Sequence, residues 1–192
     1  MADRILSLSG RSGLTILEAG AGKGASTAKL SLATARAGGR LLVLDSFRGI
    51  PANDEVHRHL DGRTIRFRAG AFVGRLESVK RTVAEFGAIE VCTFKKGLFS
   101  ETLPTIEGPI DVALLDVDLL SSTRDCVRAL YPRLRPGGAL FSQDGHLRGI
   151  VEMLADPKFW RGEVGVEPPS IPGLGRDKLL EIVKPYSRWA RR

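Results

Sequence analysis

Cysteine is scarce in this chain, which has only Cys92 and Cys126 among its 192 residues. Both lie within apolar patterns, and neither belongs to a paired-cysteine motif. A disulfide framework is therefore not expected. Reduced thiols in the core of a cytoplasmic protein are the simpler interpretation.

Long apolar runs are also missing, and none approaches the length of a membrane span. Near the start, Asp3, Arg4 and Arg11 interrupt the chain before the apolar part of a signal peptide could form. We expect a cytoplasmic localisation and no membrane partner. The 43% of hydrophobic and 27% of charged residues are ordinary for a globular protein, and the length suits one domain over residues 1–192.

The net charge of +7 raises the question of a nucleic-acid partner. The basic residues are scattered apart from three groups, which are Arg63, Arg66 and Arg68; Lys95 and Lys96; and Arg188, Arg191 and Arg192. Because these groups do not form one continuous basic pattern, nucleic acid is not the expected partner.

The most informative stretch is LTILEAGAGKGAST, residues 14–27. An apolar run ends at Glu18, passes through alternating glycines and opens into a helical pattern. This order is typical of a strand, a tight turn and a helix N-terminus. The glycines let a ligand lie against bare backbone, and the helix N-terminus favours an anionic group there.

Three ligand classes use such a turn. A phosphate-binding P-loop is excluded, because Gly24 stands where Ser or Thr is needed and Leu17 replaces the first glycine. The dinucleotide fingerprint fits Gly20, Gly22 and Ala25. The E-x-G-x-G-x-G pattern of S-adenosylmethionine (SAM) methyltransferases fits as well, so the turn alone leaves both open.

Strand-like and helix-like patterns alternate five times along the chain, which predicts a doubly wound, mostly parallel, Rossmann-like α/β sheet. Two late strand candidates, 163–166 and 179–183, predict a C-terminal antiparallel hairpin and a sheet of about seven strands. The patterns also predict helices over 25–37 and 72–86, strands over 89–94 and 139–142, a turn at 135–138 and a long loop over 46–70. A capping box places Ser121 or Ser122 at the start of a further helix.

Ligands bind such sheets at the carboxyl ends of the strands. Acidic residues fall at these ends, namely Glu18, Asp45, Asp116, Asp118 and Asp144. The acid that ends the second strand typically holds a ribose diol, so we expect this role for Asp45. His57 and His59 on the long loop are interpreted as solvated, with a metal site as the weaker alternative.

Four further segments occur in order, DSFRGIP (45–51), KGLFSETLP (96–104), DVDLLSST (116–123) and LYPRLRPGG (130–138). Together they resemble the macrocin O-methyltransferase family of class I SAM-dependent enzymes, which methylate sugar hydroxyls of antibiotics. The resemblance runs from about Leu14 to Asp144 and is more specific than the glycine turn.

The resemblance implies roles for the acids after strands four and five. A divalent metal, Mg²⁺, would be held by Asp116, Gln143 and Asp144, and Asp118 would be the general base. Gln143 stands where the family has an acid, and this neutral amide weakens a magnesium site without forbidding it. The Asp-Asn pair of catechol-type methyltransferases fits no better, because Gly145 would replace the Asn. His146 is the alternative catalytic base, since imidazole titrates near neutral pH.

SAM is the expected cofactor, with its methionine end over the glycine turn, its ribose on Asp45 and its adenine against residues 97–99. The predicted cofactor-binding residues are Glu18, Gly20, Gly22, Gly24, Ser26, Asp45, Ser46, Gly97, Leu98, Phe99 and Asp116. The expected partner is a small-molecule acceptor, a sugar or another natural product. A homodimer is left open.

Rival functions would leave different residues in the sequence. An NAD-dependent oxidoreductase would need a group such as a Tyr-x-x-x-Lys pair, and neither Tyr131 nor Tyr186 has a lysine at that spacing. A methyltransferase acting on nucleic-acid base amines would carry Asn/Asp-Pro-Pro-aromatic where this chain has DVDL (116–119). An N-methyltransferase of small molecules and a non-catalytic SAM-binding protein both stay open. The family has a longer helical region before the first strand, so the acceptor is the least transferable feature.

Overall fold

The computed structural model describes residues 1–186. Its strands are β1 (Thr15–Ala19), β2 (Arg40–Asp45), β3 (His57–Arg58), β4 (Thr64–Ile65), β5 (Cys92–Lys96), β6 (Ile110–Leu115), β7 (Leu134–Ser142) and β8 (Leu180–Val183). Its α-helices are α1 (Ala2–Leu6), α2 (Ala25–Arg36), α3 (Leu76–Phe86), α4 (Phe99–Thr102), α5 (Leu120–Leu130) and α6 (Arg148–Ala155).

Six strands form the main sheet, in the order β5-β2-β1-β6-β7-β8. All neighbours in it are parallel except β7 and β8, which are antiparallel. The predicted α/β class and the mostly parallel sheet are confirmed, with six strands where about seven were expected. The remaining two strands, β3 and β4, form a separate antiparallel pair.

The sheet is covered by helices on both faces, which explains the continuous apolar runs of its central strands. Every residue of β1 and β6 is buried. On one face, Val79 and Val83 lie one helical turn apart on α3 and pack with Ile16. On the other face, Leu130 and Trp160 belong to a larger core cluster. Burial of each such side chain contributes about 1.5–3 kcal/mol.

None of the helices found within residues 1–186 is long and apolar enough to cross a membrane.

The predicted C-terminal hairpin is wrong in its first strand. Residues Phe159–Val164 form a π-helix, and β8 pairs with β7. The alternation at 163–166 suggested a strand, but the fully buried Trp160 fixes the segment by donating its Nε1–H to the Leu154 carbonyl at 2.8 Å. The antiparallel end of the sheet was therefore predicted correctly, but with the wrong partner strand.

The long segment between β2 and α3 also differs from its prediction. Within the expected loop, His57–Arg58 pairs with Thr64–Ile65. The next helix begins at Leu76 and not at Phe72. Phe72 has a φ of 58°, and a Cβ on Gly74 would lie 1.7 Å from the Gly22 carbonyl oxygen. The chain thus packs tightly on the glycine turn before the helix can start.

Helix α5 is capped from a distant part of the chain. Neither Ser121 nor Ser122 is its N-cap, which is Leu119. Instead the Glu55 carboxylate accepts hydrogen bonds from the backbone N–H of Leu120 at 2.8 Å and of Ser121 at 3.2 Å. An acid at this end also interacts favourably with the helix dipole. The predicted capping box was wrong, and Glu55 ties the long loop to α5.

Two predicted strand boundaries shift. Residues Ile89–Val91 form a 3₁₀ turn, so the third strand of the main sheet begins at Cys92. The expected turn at 135–138 lies inside β7, where the register against β6 is irregular. The basic residues Arg188, Arg191 and Arg192 lie outside the described residues.

Candidate functional site

The carboxyl ends of β5, β2, β1 and β6 meet at one edge of the sheet and form a cleft. Backbone hydrogen bonds continue the strand pairing beyond the strands. The Gly20 N–H donates to Leu44 O at 2.9 Å, and the Asp116 N–H donates to Ala19 O at 3.0 Å. The Gln143 N–H donates in the same way to the carbonyl at the end of β6. The sheet therefore fixes the backbone of the residues that directly follow these strands.

The cleft consists of two adjacent cavities. One cavity, which we name the adenosine cavity after the expectation from the sequence, lies along Asp45, Ser46 and residues 97–99. The turn cavity lies along the glycine turn and the start of α2, including Ser26. Most of the predicted cofactor-binding residues line one or both cavities. The exceptions are Glu18, which is buried beneath the turn, and Gly24, which is the N-cap of α2.

Asp45 holds the glycine turn in place. Its Oδ2 accepts hydrogen bonds from the backbone N–H of Ala21 at 2.7 Å and of Gly22 at 3.2 Å. Its Oδ1 accepts one from Phe47 N–H at 2.7 Å. Carboxylate oxygens have about four lone-pair sites in total, so the group retains acceptor capacity toward a ligand. The sequence favoured a ligand contact for Asp45, and the structure adds this role in holding the turn.

Gly20 is the most constrained residue of the turn. Its φ is 89°, and a Cβ there would lie 2.0 Å from the Asp116 carbonyl oxygen. A side chain at this position would therefore push β1 and β6 apart where their ends define the cleft. Glycine is required by both the backbone conformation and the space.

Glu18 lies beneath the turn and is fully buried. Its Oε2 accepts a hydrogen bond from Thr27 Oγ1 at 2.5 Å, while Oε1 has no partner among the described residues. Burial raises the pKa of Glu18 to about 7, against a lowering by the Ser26 and Thr27 hydroxyls. The side chain thus joins β1 to the first turn of α2 and does not line either cavity.

The Glu18 shift predicts how stability depends on pH. Its pKa rises from 4.5 to about 7 on folding, so the folded state binds this proton more tightly. The stability contributed by the protonated group is present at low pH and is lost as pH rises from about 4.5 through 7. The loss amounts to about 3 kcal/mol at 1.36 kcal/mol per pKa unit.

We expect Glu18→Gln to remove this loss, which urea unfolding at pH 5 and pH 8 measures. The free energy of unfolding of the variant should fall less between the two pH values than that of the wild type. Glu77→Gln is the matched control, because the Glu77 side chain is 80% exposed. An equal fall in wild type and Glu18→Gln would contradict the prediction.

Three carboxylates gather at the ends of β6 and β7. Oxygens of Asp116, Asp118 and Asp144 lie within 4.8 Å of one another. Asp144 Oδ2 accepts hydrogen bonds from Val117 N–H at 3.3 Å and Asp118 N–H at 3.2 Å. Asp118 has a φ of 62°, an uncommon conformation for a residue other than glycine. The resemblance implied a separate role for Asp118, whereas the structure places it in one cluster with both predicted acidic ligands.

Burial and the closeness of like charges make it unfavourable for all three carboxyl groups to be ionised together. Burial raises the pKa of Asp118 to about 6 and that of Asp144 to about 7, and neighbouring carboxylates add to both shifts. Burial also raises the pKa of Asp116. Three hard, anionic oxygen donors suit a divalent cation such as Mg²⁺. Asp116 and Asp144, the two acids that the resemblance assigns to the metal, therefore fit it, and Asp118 lies beside them.

Gln143 and His146 lie on either side of Asp144 in the sequence. Gln143 follows β7 and directly precedes Asp144. The rings of His146 and His59 lie 4.9 Å apart, and His146 Nδ1 has no partner within the described chain. Burial lowers the pKa of His146, and the nearby Lys178 charge lowers it further. The neutral form of His146, the alternative base, is thus favoured.

Lys178 was missed by sequence reasoning. Its carbonyl oxygen accepts a hydrogen bond from Gly145 N–H at 2.9 Å, which brings this late loop beside Asp144. Its charge opposes the burial effect by lowering the pKa of Asp116 and Asp118. A lone lysine in a Pro- and Gly-rich segment gave no signal of this proximity.

The adenosine cavity contains the predicted residues 97–99. Leu98 is 45% exposed, and Phe99 packs partly against the core. The cavity is also lined by residues that the sequence did not indicate, namely Gly49, Ile50, Pro51, Ala71, Phe72, Ser100, Val117, Ser121, Ser122 and Asp125. Gly70 and Gly74, on either side of residues 71–73, were the sequence features that could have indicated close packing there.

His57 and His59 do not meet a third metal ligand. Within residues 1–186, the three aspartates are the group of His, Cys, Asp and Glu side chains placed to hold a metal. His57 is buried against the Phe67 ring, with its Nε2 3.3 Å from the Glu55 carboxylate. The weaker prediction, a histidine metal site, gains no support from this geometry, and the buried His57 is not solvated either.

A curated relative matches most of the chain. It is the 8-demethyl-8-(2,3-dimethoxy-alpha-L-rhamnosyl)-tetracenomycin-C 4'-O-methyltransferase of Streptomyces olivaceus, which is 32% identical over 142 residues. The match covers 71% of this chain and 53% of the relative, so the chain spans about half the length of that protein.

Solved structures share the fold. The O-methyltransferase NovP superposes with a TM-score of 0.74 at 22% identity, over 96% of this chain and 79% of NovP. The O-methyltransferase TomG from Streptomyces achromogenes, which is involved in tomaymycin synthesis and was solved in complex with SAM, gives a TM-score of 0.58 at 17% identity. That superposition covers 97% of this chain and 79% of TomG.

A family model described as Macrocin-O-methyltransferase (TylF) matches residues 13–166. The matched part contains β1 to β7 and all residues that line the two cavities. The glycine turn, the carboxylate cluster and five of the six strands of the main sheet therefore lie inside this match, and the chain belongs to the macrocin O-methyltransferase family.

Proposed function

We propose that the protein is a cytoplasmic SAM-dependent O-methyltransferase, which transfers a methyl group to a hydroxyl of a sugar or another small natural product. One observation carries the proposal. The glycine turn and two aspartates, Asp116 and Asp118, line the place where the two cavities join. A donor that spans both cavities would present its central atoms to these carboxylates.

The lining of each cavity supports this orientation of the donor. The turn cavity offers the backbone around Gly22 and the start of α2, which suits the methionine end with its carboxylate. The adenosine cavity offers Asp45 for the ribose hydroxyls and the apolar Leu98 and Phe99 for the adenine. The related fold of TomG, which holds SAM, is consistent with this choice.

The chain's residues position the reactants and move a proton. When bound, SAM supplies an electrophilic methyl carbon, because the positively charged sulfur leaves as a neutral thioether. The turn fixes the donor on the frame of β1 and β2, so that alignment is maintained by the backbone. Asp118 then accepts the hydroxyl proton of the acceptor, since an alcohol is a poor nucleophile at neutral pH.

We propose that Asp116, Asp144 and the side-chain oxygen of Gln143 hold Mg²⁺. Bound there, the metal would lower the pKa of an acceptor hydroxyl. The amide of Gln143 contributes no charge, so binding should be weak unless the acceptor supplies further oxygens. Neither a nucleic-acid partner nor a homodimer is part of the proposal.

Replacing Asp45 with alanine should weaken SAM binding by about 1.5–3 kcal/mol, or roughly 10- to 150-fold. The variant loses hydrogen bonds to the ribose and also the anchor of the Ala21 and Gly22 N–H groups. Titration calorimetry with SAM measures the change, and thermal unfolding measures the loss of the anchor.

Asp54→Ala is the control for this experiment, because Asp54 is an exposed acid of the same long segment. It should bind SAM like the wild type. If the wild type binds NADH and does not bind SAM, the cofactor assignment is rejected.

A further inference from the structure

Five residues line both cavities, namely Gly20, Gly22, Phe72, Asp116 and Asp118. Phe72 is the single apolar side chain in this set. A donor that extends from one cavity into the other must pass beside it. The aromatic ring therefore lies where the central atoms of the proposed donor would be.

The backbone around Phe72 is held from both sides. On one side, the Ile50 N–H donates to Ala71 O at 3.0 Å and the Gly70 N–H donates to Ile50 O at 2.8 Å. On the other side, Gly74 lies directly against the Gly22 carbonyl. The segment 70–74 thus joins the adenosine side of the cleft to the glycine turn.

The backbone of Phe72 has an unfavourable conformation. Its φ is 58°, a left-handed conformation that bulky residues rarely adopt, and its side chain is 61% exposed. The ring has an aromatic neighbour, Phe67, at a centroid distance of 6.3 Å. Strained and exposed apolar residues at a cleft typically serve a ligand.

The chemistry of the proposed donor fits an aromatic ring at this place. The sulfur of SAM is positively charged, and an aromatic face attracts a cation within about 6 Å. In the reaction an oxygen electron pair of the acceptor forms the new C–O bond, the C–S bond breaks with its pair moving to sulfur, and the hydroxyl proton goes to Asp118. The sulfur of the product S-adenosylhomocysteine (SAH) is neutral and loses this attraction.

We propose that Phe72 presents its ring to the donor sulfonium and thereby makes the site prefer charged SAM over neutral SAH. This inference rests on the proposed function. The ring of Phe72 and the carboxylate of Asp116 both line the joint between the cavities, so an aromatic face and a negative charge both lie where the positive charge would be. A lower affinity for SAH favours release of this product after each turnover.

The test compares SAM and SAH affinities of the wild type, Phe72→Leu and Phe72→Tyr by titration calorimetry. Leucine keeps the apolar bulk and removes the aromatic face, while tyrosine keeps the face. Phe72→Leu should weaken SAM binding about 3- to 30-fold, from the strength of cation–π contacts, and should change SAH binding less than about twofold. Phe72→Tyr should keep the wild-type ratio.

Phe86→Leu is the matched control, because Phe86 is 63% exposed at the end of α3 and does not line either cavity. It should leave both affinities unchanged. Equal weakening of SAM and SAH by Phe72→Leu, or no weakening of either, would overturn the inference. If the wild type binds neither compound, the proposed function itself fails, which is a distinguishable result.

Discussion

Replacing Asp118 with asparagine should lower the rate of methyl transfer by about 10²–10⁴-fold, the usual contribution of a general base. The amide has nearly the shape of the carboxylate but cannot accept the hydroxyl proton. SAM affinity should stay nearly unchanged, because the turn and Asp45 provide the donor contacts. Initial rates with a sugar acceptor, together with calorimetric SAM binding, separate the two effects.

Metal removal gives the second part of this test. Gln143 leaves the metal with one anionic ligand fewer than the family pattern, so EDTA should cost less activity than Asp118→Asn. Asp54→Asn is the control, because Asp54 is exposed and lies outside both cavities and the carboxylate cluster. Activity that EDTA abolishes and Mg²⁺ restores, with Asp118→Asn close to wild type, would refute this ranking.

Gly20→Ala should destabilise the protein by about 2–5 kcal/mol and abolish SAM binding. A left-handed conformation costs a residue with a side chain about 1–2 kcal/mol. Overpacking adds about 1–3 kcal/mol, since the new Cβ would lie 2.0 Å from the Asp116 carbonyl oxygen. Chemical denaturation measures the stability, and calorimetry measures the binding.

Gly22→Ala separates the two causes. Gly22 also has a positive φ, of 49°, but a Cβ added there would meet no heavy atom within 4 Å. This variant should therefore lose only about 1–2 kcal/mol of stability. If both alanine variants are equally stable, the contact between Gly20 and Asp116 does not constrain the sheet.

The sequence was most informative where several signals coincide. Glu18, the glycines and the following helix form one continuous pattern, so the first strand, its turn and α2 could all be predicted. The acids Asp45 and Asp116 lie at strand ends, which adjacent parallel strands bring together. Local patterns were sufficient for this part of the site.

Contacts between distant segments could not be predicted in this way. Glu55 caps α5 from the long loop, and the serines that looked like caps are not used. Phe72 fitted a helical spacing, but packing of Gly74 against Gly22 delays the helix to Leu76. In each case the tertiary contact overrode the local preference.

The position of β1 in the middle of the sheet has consequences for how the chain folds. Its partner β2 follows after one helix, whereas its other partner, β6, comes only after α2, β2, the whole long loop, α3, β5 and α4. Pairings between distant segments form slowly because a large loop must close first. Until β6 arrives, the mostly apolar β1 presents an open edge, which is prone to association with other chains. Asp116 and Asp118 follow β6 directly, so a donor can stabilise the chain only after this slow pairing has formed.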